Sequence, residues 1–505
     1  MEEEMANSTD NTTGKPVNKL AMMALLMIGS FVIILMQTSL GTALPALMTA
    51  FNVDSATVQW LTTIFLMVNG IMVPVSAYMT TRIPTKYLYL TALAVYILGT
   101  FMAWTAPTSA FWVLMLARAL QAMAAGIVMP LMQVVALTIF SENSRGKALG
   151  SIGLVIGMAP AIGPTLSGWI LDSKHDFLGL TWGGDWRSIF GLVLPLAIIV
   201  FILSIFYFKN VLETKKVSLN IRSLIESTVG FGLLLFGFAM VSDHGWDSFS
   251  YVIAPIIVGA LVIAEFARHQ LHMETPFLDV RVLMNKQFAL TTTMVSLTFI
   301  AMLGVEMVLP TYMQTVRGLT ALNSGLTLLP GALMMGLISP IAGSFYDKYG
   351  AKRLAIFGFA LVTLATLPYY YLTAETPTIY ITALYMVRMA GIAFTMMPLT
   401  SSAMGALAKE ENAQGTAVNN TARQIAASLG TAVLASVMQS VANDNMPSNA
   451  LKSADPIAYG SKAITATLDG FHTSFFVAAM FALAAFVLAF FLHNGKVNQP
   501  EIKEN

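Results

Sequence analysis

Glu306 stands inside an apolar run, Leu303-Gly304-Val305-Glu306-Met307-Val308-Leu309. An ionisable group at that depth is functional by default, and a carboxyl group there is suited to taking up and releasing a proton as its access to water changes. The competing reading is a glutamate that snorkels to the nearer membrane edge. Asp243, beside His244 at the end of another apolar run, is a second proton-coupling candidate, with a solvated loop acid as the alternative. Arg118 lies within a third run. Its permanent charge could tune proton release from a neighbouring acid, with Glu306 as the partner; alternatively it is structural and bonds backbone carbonyls. Glu265 and Arg268, one helical turn apart, read as an interfacial ion pair. Nothing else has the spacing of a reactive centre. There is no phosphate-binding Gly-rich loop, no Ser/His/Asp or His-Glu-x-x-His set, and the six histidines are scattered. With no cysteine, thiol catalysis, zinc thiolates and disulfides are excluded. The expectation is a protein that is not an enzyme, holds no metal and no cofactor, and is driven by a proton gradient.

The elements that carry these residues follow from composition. Of 505 residues, 56% are hydrophobic and 10% charged, where a soluble domain carries about a quarter charged. The chain is polytopic, its partners being the lipid bilayer, protons and small molecules. A net charge of +1 argues against nucleic acid. Fourteen stretches are long and apolar enough to span: 20–41, 58–79, 87–106, 110–135, 147–171, 188–208, 222–242, 250–267, 288–312, 322–346, 354–373, 377–405, 414–441 and 471–493. With a cytoplasmic N-terminus, the lysines and arginines gather loop by loop on the inside, from Lys15, Lys19, Arg82 and Lys86 to Lys348, Lys352 and Arg353. The outer loops keep Lys174, Arg187, Arg317, Lys452 and Lys462. An even count puts both termini in the cytoplasm.

The chain also repeats itself. Arg118 and Arg388 each stand in an early turn of a span. Met129-Pro130-Leu131 returns as Met397-Pro398-Leu399, and Glu142-Asn143-Ser144-Arg145-Gly146 as Glu411-Asn412-Ala413-Gln414-Gly415, all at nearly one offset. The expected organisation is a tail (1–19), a six-helix unit (20–208), a linker region with two additional spans (209–287), a second six-helix unit (288–493) and a second tail (494–505). The two additional spans are expected to pack beside the halves. Duplicated units of this kind place a substrate site between them near the midplane and work by alternating access.

One span is unusually rich in helix-bending and small residues: Gly157, Pro160, Gly163, Pro164 and Gly168. Small residues permit close helix approach, and the prolines bend the helix. Together with Ser167, this run resembles the fifth-helix antiporter motif of the major facilitator superfamily. Gly343-Ser344-Phe345-Tyr346-Asp347-Lys348-Tyr349-Gly350-Ala351-Lys352-Arg353 resembles that family's cytoplasmic loop. Its acid and clustered bases would form a latch through Gly343, Asp347, Lys348, Gly350, Lys352 and Arg353. The first-half counterpart departs from the pattern, with Thr81 in place of the acid and Pro84 in place of glycine. Arg118 to Gly126 looks like the fourth-helix motif. Asp185-Trp186-Arg187, Pro310-Thr311-Tyr312 and Asn420-Thr421-Ala422-Arg423-Gln424 look like the fourteen-helix drug/proton antiporters of EmrB/QacA type.

That resemblance covers essentially the whole chain. It implies an all-α major facilitator fold of two six-helix bundles plus two central helices, in a bacterial plasma membrane. It implies a monomeric antiporter exporting amphipathic or hydrophobic small molecules, a multidrug efflux function of the kind that gives antibiotic resistance. Gln37, Thr38, Gln121, Met129, Gln314 and Asn420 are the expected cavity residues. The branch's first-helix acid is absent, Met36 standing in its place, which makes dications less favoured substrates. Two other readings stay open on the same residues: export or flipping of a lipid or lipid-linked metabolite, and a membrane sensor that has lost transport.

Overall fold

The structure, a computed structural model, describes residues 17–53, 55–140, 144–172, 174–177, 180–214, 220–274 and 276–493. Its helices are α1 (Lys19–Phe51), α2 (Ser55–Arg82), α3 (Thr85–Thr105), α4 (Phe111–Ile139), α5 (Arg145–Asp172), α6 (Arg187–Tyr207), α7 (Ile221–His244), α8 (Ala254–His272), α9 (Lys286–Thr315), α10 (Ala321–Tyr349), α11 (Ala351–Thr366), α12 (Thr378–Gly405), α13 (Asn412–Asp444), α14 (Asn449–Ala454) and α15 (Pro456–Ala489). Fourteen of them, all but the short α14, are long and apolar enough to cross a membrane, which agrees with the count expected from hydropathy.

Most helices overrun the expected spans. In lipid a helix satisfies its own backbone polar groups, and it ends where a side chain or loop takes over that task. Those caps lie beyond the apolar stretch. Asn18 Oδ1 accepts from Ala21 N before α1, Asn285 Oδ1 from Gln287 and Phe288 N before α9, and Asp455 Oδ1 from Ile457 and Ala458 N before α15. Thus the last span begins at Pro456, fifteen residues before the expected start at residue 471. The second departure is a small antiparallel hairpin between α5 and α6, β1 (Lys174–Phe177) paired with β2 (Leu180–Gly183). Gly183 and Gly184, both at positive φ, carry the chain out of it toward α6. The fold is otherwise all-α, as expected.

The repeat is visible in the packing. In the first bundle α1 packs on α5, α2 on α4, α3 on α4, and α3 on α6. The same pairs recur in the second as α9 on α13, α10 on α12, α11 on α12, and α11 on α15. With fourteen spans, the start of α1 and the end of α15 share one face, called here the terminal face. The bundles meet most extensively through α5 and α10. These run antiparallel from Gly150 against Ser339 and Pro340, through Gly157 against Met335, to Thr165 against Gly325 and Gly168 against Leu322.

The additional helices form a hairpin packed against the two bundles. α7 is placed against both α2 and α13, so it straddles the seam on the opposite side from α5 and α10. Its residues Leu234, Phe238 and Val241 form an apolar cluster with Trp60 of α2 and Ala432 and Leu429 of α13. α8 is held to α7 by near-contacts at Gly230, Gly237 and Gly259.

Candidate functional site

Each bundle holds a buried arginine on the same helix of the repeat, but the two are satisfied differently. Arg118 of α4 donates through Nη1 to Gln121 Oε1 at 2.8 Å and through Nε to the Leu61 carbonyl of α2 at 3.4 Å. Its guanidinium lies 4.4 Å over the Phe65 ring. Gln121 Nε2 donates onward to Thr100 Oγ1 at 3.1 Å. The sequence pattern placed Gln121 in the cavity. In the structure it is fully buried, with its amide bonded to Arg118 and Thr100.

Arg388 of α12 has glycine, not glutamine, three residues on. It donates to the Ala301 carbonyl of α9 and to Thr366 Oγ1 of α11, and Nη1 is buried without a partner. Glu306, half-buried on α9, lies on this side. Arg388 is its charged neighbour, and Tyr385 of α12 is close enough to feel its charge. The partner expected for Glu306 was Arg118. The hydrogen bonds and ring contact of Arg118 all lie in the other bundle, and the cation beside Glu306 is Arg388. The sequence signal for this was the Arg118/Arg388 repeat itself. Asp243 lies on α7, and its side chain is outside the described residues.

The proline-containing helix α5 is fastened on both sides. α5 continues unbroken through Pro160 and Pro164. Ser39 Oγ of α1 donates to the Gly163 carbonyl at 3.1 Å, and Thr38 Oγ1 reaches the Ala159 carbonyl at 3.5 Å while also bonding the Ile34 and Leu35 carbonyls. Thr38 was expected to meet a ligand, but its proton is taken by helix carbonyls. Gly163 is required here, since a Cβ would lie 2.3 Å from Thr38 Oγ1. Gln37, next to it, is half-buried, as is Met129 of α4; Gln314 is exposed near the end of α9 away from the terminal face.

Between the bundles run two polar clasps. Asn420 of α13, expected in the cavity, donates through Nδ2 to Gln133 Oε1 of α4 at 3.1 Å, toward the terminal face. Gln424 Nε2 donates to the Leu66 carbonyl of α2 at 3.3 Å. Met397 of α12 adds an apolar contact against Gly153 of α5 on the same side. The structure is therefore closed at its terminal face.

In the expected latch, Gly350 caps α10 at φ +76° and its N–H bonds the Tyr346 carbonyl at 2.9 Å. A left-handed conformation of this kind favours glycine. Gly343 is buried, Lys348 and Arg353 are exposed and Lys352 is half-buried. The Asp347 side chain lies outside the described residues. In the first half, Pro84 sits at the N-cap of α3, and Lys86 N and Nζ bond Asn210 Oδ1 and the Ile205 carbonyl. That loop joins α3 to the end of α6. At the interface, Glu265 bridges to Arg268 as expected, and Arg222 joins it while also pairing with Glu226.

Comparison with known proteins agrees with this architecture. The Major Facilitator Superfamily model matches residues 26–431. The chain is 43% identical to the MFS-type transporter YcnB of Bacillus subtilis, over 95% of this chain and 96% of that protein. It is 38% identical to the lincomycin resistance protein LmrB of the same organism, covering 94% and 95%. Among solved structures, the human organic anion transporter MFSD10 superposes with a TM-score of 0.62 at 14% identity, over 94% of this chain and 99% of that one. That last likeness speaks to fold alone. By its matched length, its duplicated bundles and its relatives, the chain belongs to the Major Facilitator Superfamily.

Proposed function

We propose that the chain is a proton-coupled antiporter that exports amphipathic or hydrophobic small molecules by alternating access. The observation that carries this is Glu306. It is a half-buried carboxyl group on α9, within electrostatic range of Arg388 and Tyr385 of α12. Charged, it is attracted to Arg388 of α12. Protonated, it gives up that attraction while Arg388 keeps its bonds to Ala301 and Thr366. A proton taken up on one face and released on the other can thus be tied to a change in packing. The glycine-lined α5/α10 interface supplies a surface on which the bundles can rock. The resistance names of relatives such as LmrB and the multidrug transporter protein MdtP of Bacillus subtilis support export of drug-like substrates.

In this reading the terminal face, where basic residues concentrate, is cytoplasmic, and both termini lie there. A structure closed at that face is then shut toward the cytoplasm. The protein acts as a monomer in the plasma membrane, with the proton gradient as its only energy source and no cofactor. Asp347, with the bases that follow it, latches the cytoplasmic end.

The test is transport in proteoliposomes under an imposed pH gradient, with neutral, cationic and anionic fluorescent amphiphiles and lincomycin. Wild type is expected to move at least one of them in response to the gradient. Glu306→Gln is expected to lose the response to the gradient while still exchanging substrate down its own gradient. If no compound moves, the exporter reading fails; if Glu306→Gln stays proton-coupled, Glu306 is not the carrier.

A further inference from the structure

The charged side chains buried outright among the described residues are three arginines, Arg118, Arg388 and Arg423, and no carboxylate. The first two are bonded to the chain, Arg388 with its Nη1 left over. Arg423 is not. It sits on α13, more than nine-tenths buried, with Nε and Nη1 both lacking a hydrogen-bond partner. Phe299 of α9 covers one face of the guanidinium at 4.3 Å. That contact fixes the plane of the group and leaves its N–H edge free.

Its neighbours on α13 are committed elsewhere. Asn420 bonds Gln133, Gln424 bonds the Leu66 carbonyl, and Asn419 Nδ2 bonds Thr292 Oγ1 of α9 at 3.1 Å. These bonds set the rotation of α13 and so aim Arg423. One turn away on the same helix face, Asn419 Oδ1 is a buried acceptor without a donor. An arginine cannot shed its proton to escape such a site. A buried, unpaired guanidinium calls for an acceptor that the chain does not supply.

We propose that Arg423 is the recognition residue for an anionic head group on an amphipathic substrate. A carboxylate or phosphate meets the free N–H edge, and an O–H or N–H donor beside it meets Asn419 Oδ1. The planar fork of arginine matches two oxygens at once. The excess of buried positive charge disfavours cations at the same place. This inference rests on the exporter reading and narrows its substrate class. The same chemistry serves a soluble amphipathic acid or an anionic lipid head group.

The full-length protein, purified in a neutral detergent, is titrated with carboxyfluorescein, with fluorescent phosphatidylglycerol and with ethidium, and binding is followed by fluorescence polarisation. Wild type is expected to bind at least one of the two anions more tightly than ethidium, and which anion it prefers identifies the source. Arg423→Gln is expected to weaken anion binding about ten-fold or more, with ethidium unchanged; Arg423→Lys, keeping charge but losing the fork, falls between. If Arg423→Gln does not yield a monodisperse protein, the lysine variant decides alone. Unchanged anion affinity in whichever variant is read, or tighter binding of ethidium by wild type, overturns the proposal. Gradient-driven movement of ethidium without anion binding overturns it and leaves the exporter reading intact. Arg423-dependent anion binding with no gradient-driven transport of any compound does the reverse.

Discussion

Gly150→Ala is expected to act as a wedge at the terminal face. An added Cβ at this position would lie 2.6 Å from the Ser339 carbonyl oxygen and 2.8 Å from Pro340 Cα, both backbone atoms of α10. An ordinary contact begins near 3.4 Å, so the helices must part by roughly 0.8 Å, and no side chain can swing aside to absorb it. Overpacking of this kind costs about 1–3 kcal/mol. The cost falls on the state in which this end is closed and is relieved when α5 and α10 separate there. As a bias between two states, it shifts the population toward the open terminal face by about 5-fold to 150-fold. Two neighbours serve as controls. At Gly157 the added atom meets only the Met335 side chain, whose flexible thioether can move. At Gly168 the nearest atoms of Leu322 lie 3.6 Å away, an ordinary contact. Both alanine variants are expected to change the balance far less. Because the chain has no cysteine, Met397→Cys provides a clean reporter, buried between α12 and Gly153 of α5. Its labelling by a membrane-impermeant maleimide in inside-out vesicles should be fastest with Gly150→Ala, slower with Gly157→Ala and slowest with Gly168→Ala. Equal rates in all three, or fastest labelling in Gly168→Ala, would refute the claim that backbone contact at Gly150 holds this end shut.

The remaining expectations concern single fastenings. Asn420→Ala and Gln133→Ala, measured singly and together, should show a coupling of about 0.5–1.5 kcal/mol favouring the closed terminal face; additive effects on labelling of the Met397→Cys reporter would sink the clasp. Gly350→Ala should lower the thermal unfolding temperature by the equivalent of about 1 kcal/mol, because an alanine is strained in the left-handed turn at φ +76°; an unchanged melting curve counts against it. Ser39→Ala removes the 2.7 Å and 3.1 Å bonds to Leu35 and Gly163. It is expected to cost about 0.6 kcal/mol in stability, typical of a polar bond between membrane helices, and a loss above a few kcal/mol in detergent unfolding would mean that the bond carries more than α1–α5 contact.

Much of the architecture was legible because the bilayer imposes a coarse code. Span number follows from apolar length, and the duplication follows from landmarks such as Arg118 and Arg388. Helix ends were less legible, since caps such as Asn18 and Asp455 act outside the lipid and leave no trace in hydropathy. The bent helix was recognised as a close-packing surface from its glycines. That its partners are Thr38 and Ser39 on one side and Met335 and Ser339 on the other depends on contacts distant in sequence. The polar residues were hardest to place. Gln121, Thr38 and Asn420 have the chemistry of ligand contacts, but each is already committed to an arginine, a carbonyl or a glutamine. Which polar groups are left over emerges only after every hydrogen bond is assigned, and among that remainder are Arg423 and Asn419.

A duplicated transporter begins with two equivalent edges where its halves meet the lipid. The hairpin of α7 and α8 removes that equivalence. One edge, along α2 and α13, is roofed by α7; the other, along α5 and α10, is bare apart from the seam itself. Any parting of the halves on the roofed edge must also peel Trp60 or Leu429 from α7, whereas parting on the other edge must separate α5 from α10 directly. The motion expected of such a molecule is lopsided, closer to a book bound along one spine than to a pair of rocking shells.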